Sequence, residues 1–433
     1  MLTQEQLQVL AEAMTQKDAG GARRVDAGYT YFGQFISHEI VAATPRPGDP
    51  TPPRVVSPLL ALDSLYGRPH EMDVWLPGGR FPAPNSGLAE DLVRDANGAA
   101  QIPEPRNDDN VIIAQLHRFL QRFHNFLLEK QFTKDPLQAR EWVTKVVQLV
   151  VVEDFLHQLL EPEVFKSYFR SNERWLTFDK CGIPPHFSHA AYRFGHSMIR
   201  VSYEGFDKSI DSGNRKLTAL LRQHKLEAAT VVDWNRFFGE PILKNGVQDA
   251  MAIDPFVVNP MLSIADAPAP INIIKANLAA GQRMNLPTGK AYVMELLAGP
   301  NGTELQSRFG LAPLTGLGML SQHIPAASGI TIDNLPLWPY VLLEASTPTG
   351  ADGRHLGVLG SLICAEVIAQ SIRQARVTIH GTRWPSSADE VLATLGPLGP
   401  HLKKQRSPQG TEPVLRDFCM HHVIQLVLGP NSN

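Results

Sequence analysis

The residues best placed to do chemistry are two histidines and an arginine, widely separated along the chain. The stretch YTYFGQFISHEI, residues 29–40, sets Gln34 and His38 four positions apart. On a helix that spacing puts them on one side, a turn apart. The same side carries Tyr31 and Phe35, so it is not a plain solvated face. A buried imidazole and a buried carboxamide both need hydrogen-bonding partners. Two readings stand: a core histidine bonded to a backbone carbonyl, or an acid–base histidine poised over a buried reactive ligand.

In IPEPRNDDNVIIAQLHRFLQRFHN, Arg106 stands just before a helix, with Asp108 or Asp109 as its cap or as a favourable first-turn charge. The plain alternative is a solvated arginine paired with those aspartates. His117 and His124 lie seven apart on that helix, and with no third ligand nearby they read as packing or hydrogen-bonding residues. In AAYRFGHSMIR, His196 follows Gly195 inside an apolar helical run. Glycine weakens a helix, so its presence points to something bulky against the backbone. A flat macrocycle needs such room, and a histidine projecting from such a helix can be an axial ligand of haem iron.

The elements that must position these groups are helical. NVIIAQLHRFLQRFHNFLLEK places Ile112, Leu116, Phe119, Phe123, Phe126 and Leu127 at steps of three and four. REWVTKVVQLVVVEDFLHQLL is apolar on most faces, and Lys145, Gln148, Glu153 and Asp154 interrupt it, which favours a buried helix over a membrane span. HAAYRFGHSMIRV and LICAEVIAQSIRQA also read as helices. Alternating runs are few and short. The expectation is a mainly α fold with very little β. TPRPGDPTPPRVVSP reads as an extended segment, and no stretch has the length or low complexity of an interdomain linker.

Composition narrows the class. The chain has 433 residues, 43% hydrophobic and 19% charged, with a formal net charge of −3 and no charged tail. That allows a sizeable core and gives no nucleic-acid footprint. Cys181, Cys364 and Cys419 lie far apart with no metal-ligand spacing, so a disulfide framework is not expected. The amino terminus reads as an amphipathic helix with Leu2, Leu7, Leu10 and Met14 on or near one face, not as a signal peptide. The cytoplasm is the default address, and a non-classical secretion route stays open.

Four segments in order carry a family resemblance: YFGQFISHEI, EPRNDDNVIIAQLHRFLQRFHN, AAYRFGHSMIR and NLAAGQRMNLPTGK. LPLWPYVLLEA and HLGVLGSLICAEVIAQ also fit. Together they resemble the animal-type haem peroxidases of the peroxidase–cyclooxygenase superfamily, closest to the bacterial members, over about residues 29–375. The resemblance implies a helical domain at 29–390 with haem b between a distal and a proximal helix. It leaves an N-terminal helical extension at 1–28 and a C-terminal extension at 391–433. It implies His38 as distal acid–base with Gln34 beside it, Arg106 as the distal arginine, and His196 as iron ligand. Asn277 is then the partner of the other His196 ring nitrogen, and Arg193 meets a haem propionate.

The implied activity is reduction of hydrogen peroxide through a ferryl haem, with oxidation of a small organic or halide donor. The alternative is a haem-dependent mono- or dioxygenase acting on a lipid or natural-product intermediate. The partners are therefore small molecules, with no nucleic acid and no transmembrane segment. Ester links to haem in mammalian members use two carboxylates. Ser37 replaces the first and Asp109 stands at the second, so at most one ester remains and non-covalent haem is favoured. Asn110 replaces the methionine that bonds haem in some members. A family calcium site maps onto Glu39, Ser57, the Leu59 carbonyl and Asp63, weakened by Ala61 where a carboxylate is expected. The other reading of Asp63 is that it caps the turn ending at Gly67. The oxygenases carry a radical tyrosine three residues before the proximal histidine, and here that position is Arg193.

Overall fold

The apolar stripes of three- and four-residue period become long helices. The computed structural model describes residues 2–16, 22–43, 57–68, 76–178, 182–206, 215–221, 225–239, 246–264, 270–347, 351–404 and 418–429. Cys181 and residues 44–56 of the proline-rich segment lie outside them. Among the described residues, strands occur only as three two-stranded pairs, and the fold is mainly α as expected. No helix there is long and apolar enough to cross a membrane.

The chain divides into two compact units. The first comprises Met1–Thr30, Leu156–Val201 and Asp249–Ala369. Its N-terminal helix, Gln4–Ala13, starts at a capping box in which Thr3 and Gln6 satisfy each other's backbone N–H. It buries Leu7 and Leu10, and Met14 just beyond, and packs on the helix Ile273–Arg283. The strand Thr15–Gln16 then pairs in parallel with Val257–Val258, so the first residues of the chain are integral to this unit. The helix Val358–Arg373 begins over the partly buried Glu344, whose carboxylate accepts from Leu359 N (2.9 Å) and Gly360 N (3.2 Å). Free backbone donors at a helix start are thereby satisfied by an acidic side chain from the core.

The second unit comprises Tyr31–Phe155, Ser202–Gln248 and Gln370–Asn433. The helix Val111–Glu129 buries Ile112, Leu116, Phe119, Phe123 and Leu127, as its period predicts. Phe126 departs from that stripe: it is half-buried and packs on Phe132 at 5.8 Å between ring centroids. The cap of this helix is neither aspartate. Asn110 accepts from Ile112 N (3.1 Å) and Ile113 N (3.0 Å). Asp108 is occupied by a two-point ion pair with Arg94, at 2.6 and 2.8 Å.

In the helix Pro136–Val150, Gln148 donates to the carbonyls of Leu60 and Val377 and accepts from Ile379 N. Farther along, buried Asp154 accepts from Met420 N at the start of the helix Met420–Leu428. Two of the polar interruptions of the most apolar window, Gln148 and Asp154, are thus points of attachment inside a buried core. Cys364 and Cys419 are buried and in no disulfide.

Close packing in the first unit yields a stability test. A Cβ added to Gly289 would sit 1.9 Å from Tyr340 Cγ, inside a helix pairing that leaves the ring no room. We expect Gly289→Ala to cost about 1–3 kcal/mol, read as a lower thermal unfolding midpoint. An unchanged midpoint would refute this packing.

Candidate active site

The helix Gly28–Ile40 carries Gln34 and His38 on successive turns, and its apolar flanks are buried at Phe32, Phe35 and Ile36. His38 is 8% exposed. Its Nδ1 lies 2.9 Å from Asn107 Oδ1, and Asn107 Nδ2 lies 3.0 Å from His117 Nδ1. Asn107 and His117 are fully buried, and His117 Nε2 has no hydrogen-bond partner. The partner of the buried imidazole is therefore a side-chain amide, not the backbone carbonyl that one reading expected. Gln34 Oε1 accepts from Asn110 Nδ2 at 3.2 Å, so the carboxamide beside His38 is fixed by the cap of the next helix.

Arg106 sits in the short 3₁₀ turn Pro105–Asp108 and is not paired with the aspartates that follow it. Its guanidinium forms a two-point pair with Glu104, Nε to Oε1 at 2.8 Å and Nη2 to Oε2 at 2.9 Å. Nη2 also donates to the carbonyls of His38 (3.0 Å) and Val41 (2.9 Å). Those carbonyls close the C-terminal end of the helix bearing His38, where a cation is favoured. Burial alone would raise the Glu104 carboxyl, but the Arg106 hydrogen bonds and charge outweigh it and hold the carboxyl below its usual range. Burial first, then the Arg106 charge, takes His38 down to about 4, against the Asn107 hydrogen bond and the Glu104 charge. His38 is accordingly neutral at pH 7, as a base must be.

In the first unit, the run expected to be a continuous helix around His196 is broken. A four-residue helix, Pro185–Ser188, is followed by the 3₁₀ segment Ala191–His196, because Ala190 leaves the helical region at φ −139°, ψ −85°. His196 Nδ1 lies 2.7 Å from Asn277 Nδ2. Asn277 sits inside the helix Ile273–Arg283, which Asn272 caps. Arg193 donates through Nε to Ser188 O (3.0 Å) and through Nη1 to Asn277 Oδ1. A guanidinium can only donate, so it holds the amide oxygen and turns the amide nitrogen toward His196. Burial, then the Arg193 charge, lowers His196 to about 3.

The residues of this unit fit a haem. Neutral His196 is a suitable nitrogen donor for iron. A Cβ built on Gly195 meets nothing within 4 Å, which leaves the room the sequence assigned to a macrocycle. Arg193 is brought down to about 10 by burial and by Arg283, and His189 to about 4 by burial, Arg193 and Arg283. The converging guanidinium charges of Arg193 and Arg283, with His189 neutral beside them, suit carboxylates such as propionates. For His196 to offer Nε2 to iron, Nδ1 must carry the proton and Asn277 must present its oxygen, with Arg193 released to an anion.

The calcium residues do come together in part. Glu39 accepts from Asp63 N and Ser64 N, both at 2.8 Å, and so caps the helix Asp63–Tyr66. Asp63 Oδ1 pairs with Arg140 at 3.2 Å, and the Leu59 carbonyl accepts from Ala61 N. Gly67, at φ 71°, closes the turn through its N–H to the Asp63 backbone carbonyl, not to the carboxylate. No group of three or more acidic, histidine or cysteine side chains able to hold a metal occurs among the described residues. Asp109 is half-buried beside the 3₁₀ turn, its N–H bonded to the Arg106 carbonyl.

Sequence reasoning missed Glu104 and Asn107. The available signal was the pattern EPRN, which places an acid and an amide on either side of the arginine. His117 and His124 are hydrogen-bonding residues as expected; His124 bridges Tyr66 Oη (3.2 Å) and Gly79 O (3.0 Å).

Two predictions follow from these groups. Asn277→Asp offers only acceptors, should fix the Nδ1–H form of His196 and lower the midpoint potential of bound haem, whereas Asn277→Leu should weaken haem retention about 10–100-fold. Redox titration and haem-transfer kinetics read both. Acid stability is the other. His38, His117, His124, His189 and His196 are lowered from 6.5 to about 4, 3, 4, 4 and 3, and Glu39 and Glu344 are raised from 4.5 to about 7. Between pH 6.5 and 4.5 the unfolded chain binds more protons at five histidines and fewer at two glutamates. Stability therefore falls as pH drops through that window, and the calorimetric unfolding midpoint should fall with it.

The model of the animal haem peroxidase family matches residues 84–263, a span holding Glu104, Arg106, Asn107, His117, Arg193 and His196. Among solved structures the chain is similar to peroxidase A from Dictyostelium discoideum, with a TM-score of 0.64 and 13% identity over 96% of this chain and 92% of that one. It is also similar to the fatty acid alpha-dioxygenase of Oryza sativa, with a TM-score of 0.65 and 12% identity over 98% and 79%. The fatty acid alpha-dioxygenase of Arabidopsis thaliana gives 0.61 and 12% over 97% and 74%. At these identities the likeness establishes the fold. No curated protein matches the sequence.

Proposed function

We propose that this chain, which carries an animal haem peroxidase domain over residues 84–263, is a haem-dependent peroxidase that reduces hydrogen peroxide and oxidises a small organic or halide donor. His196 would hold the haem, which would supply the iron and the two-electron redox chemistry. The observation that carries the reading is the state of His38: neutral at pH 7, buried, and engaged through Nδ1, so that Nε2 remains as the acid–base atom. In the proposed step Nε2 takes the proton from one peroxide oxygen and returns it to the other, which leaves as water. Gln34, fixed by Asn110, stands a turn away and orients the small polar ligand by hydrogen bonding.

Arg106 contributes a charge that is never lost. Its bond to the His38 carbonyl ties that charge to the helix end carrying the imidazole. Arg193 binds a propionate, and Asn277 then orients His196. The haem is non-covalent in this reading.

Both a peroxidase and fatty acid dioxygenases share the fold, so the test separates them. Stopped-flow mixing of the haem-loaded protein with peroxide should perturb the Soret band. His38→Gln should slow that step by about 10²–10⁴-fold with haem retained. Because His38 must be neutral, the rate should fall only as pH approaches about 4. Fatty-acid-dependent oxygen uptake without peroxide, or an unchanged rate in His38→Gln, would overturn the assignment.

A further inference from the structure

Three buried side chains of the second unit form a chain that the proposed reaction does not yet use. His38 Nδ1 faces Asn107 Oδ1 at 2.9 Å, Asn107 Nδ2 faces His117 Nδ1 at 3.0 Å, and His117 Nε2 ends the series without a partner. Asn107 and His117 are 0% exposed, so water does not substitute for either contact. An amide oxygen accepts only, so the proton between His38 and Asn107 belongs to His38 Nδ1. An amide nitrogen donates only, so His117 Nδ1 is an acceptor and its proton sits on Nε2. The imidazole of His117 is held in place by Phe35, edge-on at 6.3 Å between centroids.

We propose that Asn107, oriented by His117, is a positioning residue that fixes His38 as the Nδ1–H tautomer and so keeps the Nε2 lone pair open as the base. An unconstrained imidazole divides between two tautomers, and the Nε2–H form cannot accept a proton at that nitrogen. The choice is made twice over: His38 needs an acceptor, and His117 turns the amide so that its oxygen is the atom presented. Reversing the amide would put its nitrogen against His38 Nδ1 and place the His38 proton on Nε2, the wrong atom. The backbone shares in this. Asn107 lies in the same 3₁₀ turn as Arg106, which binds the His38 carbonyl, so one turn holds both the main chain and the ring of His38.

This inference rests on the acid–base reading of His38, and the experiment separates the two. Nitrogen-15 histidine spectra of the full chain, with bound haem kept diamagnetic as the ferrous carbon monoxide complex, report which nitrogen of His38 is protonated. His38→Gln identifies its signals. We expect the Nδ1–H form in the wild type and in Asn107→Asp, which keeps the acceptor. In Asn107→Leu the two tautomers should mix and the reaction with peroxide should slow at least tenfold, with Asn107→Asp retaining the faster rate. His117→Leu, which frees the amide to turn, should also mix the tautomers. A wild-type His38 protonated at Nε2, or an unmixed Nδ1–H form in Asn107→Leu, overturns the proposal. A locked tautomer together with a peroxide reaction that ignores His38→Gln supports the lock and overturns the catalytic reading instead.

Discussion

A neutral imidazole has one nitrogen with a proton and one with a lone pair, and the neighbour of the first decides what the second can do. Each unit contains a histidine whose Nδ1 meets a buried asparagine: His38 with Asn107, and His196 with Asn277. The amide polarity differs because the third partner differs. His117 accepts from Asn107 and turns the amide oxygen to His38; Arg193 donates to Asn277 and turns the amide nitrogen to His196. The same residue pair therefore gives a fixed base in one place and, in the other, a ring whose donor atom depends on where an arginine goes. A propionate that drew Arg193 away would let Asn277 present its oxygen, and cofactor charge and the His196 tautomer would then be linked through one side chain.

Buried acids obey a related constraint. Glu39 and Asp154, which are buried, and the partly buried Glu344 accept backbone N–H groups at helix starts, Asp63–Ser64, Met420 and Leu359–Gly360 respectively. Burial pushes Glu39 and Glu344 up to about 7, against the pull of those N–H groups. A carboxylate so engaged is committed to holding helices in place, and Asp63 is drawn toward Arg140. The oxygens that a family comparison associates with calcium thus have protein partners of their own.

Much of the fold was legible because it rests on period and burial. The stripe from Ile112 to Leu127 and the apolar helix Val358–Arg373 follow from spacing alone. What was not legible depended on choices among near-equal local partners. Asp108, Asp109 and Asn110 all suit a helix cap, and the outcome turned on Arg94, fourteen residues before Asp108, claiming the first of them. Arg106 had two aspartates after it and one glutamate before it; the 3₁₀ turn placed the glutamate within reach. The segment before His196 has helical composition, yet the backbone at Ala190 breaks it, and a periodic pattern cannot register one pair of dihedral angles. The site histidines were visible as residues, and their partners were not, since Asn107 lies 69 positions from His38 and Asn277 lies 81 from His196.

The fold is shared by a peroxidase and by fatty acid dioxygenases, so the scaffold does not choose between them. The peroxidase proposal draws on the surroundings of His196. A residue that stores an oxidising equivalent as a neutral radical must lose a proton along with the electron. Arg193, three positions before His196, keeps its proton as arginines do and is bound by Ser188 and Asn277. Tyr192, one position further back, is stacked on Phe187 at 4.5 Å between centroids, and its hydroxyl has no partner to take a proton. Burial, and then Cys364, push that phenol well above its usual pKa. Neither side chain provides a ready resting place for an oxidising equivalent, and in the proposed reaction the equivalent would pass to an external electron donor.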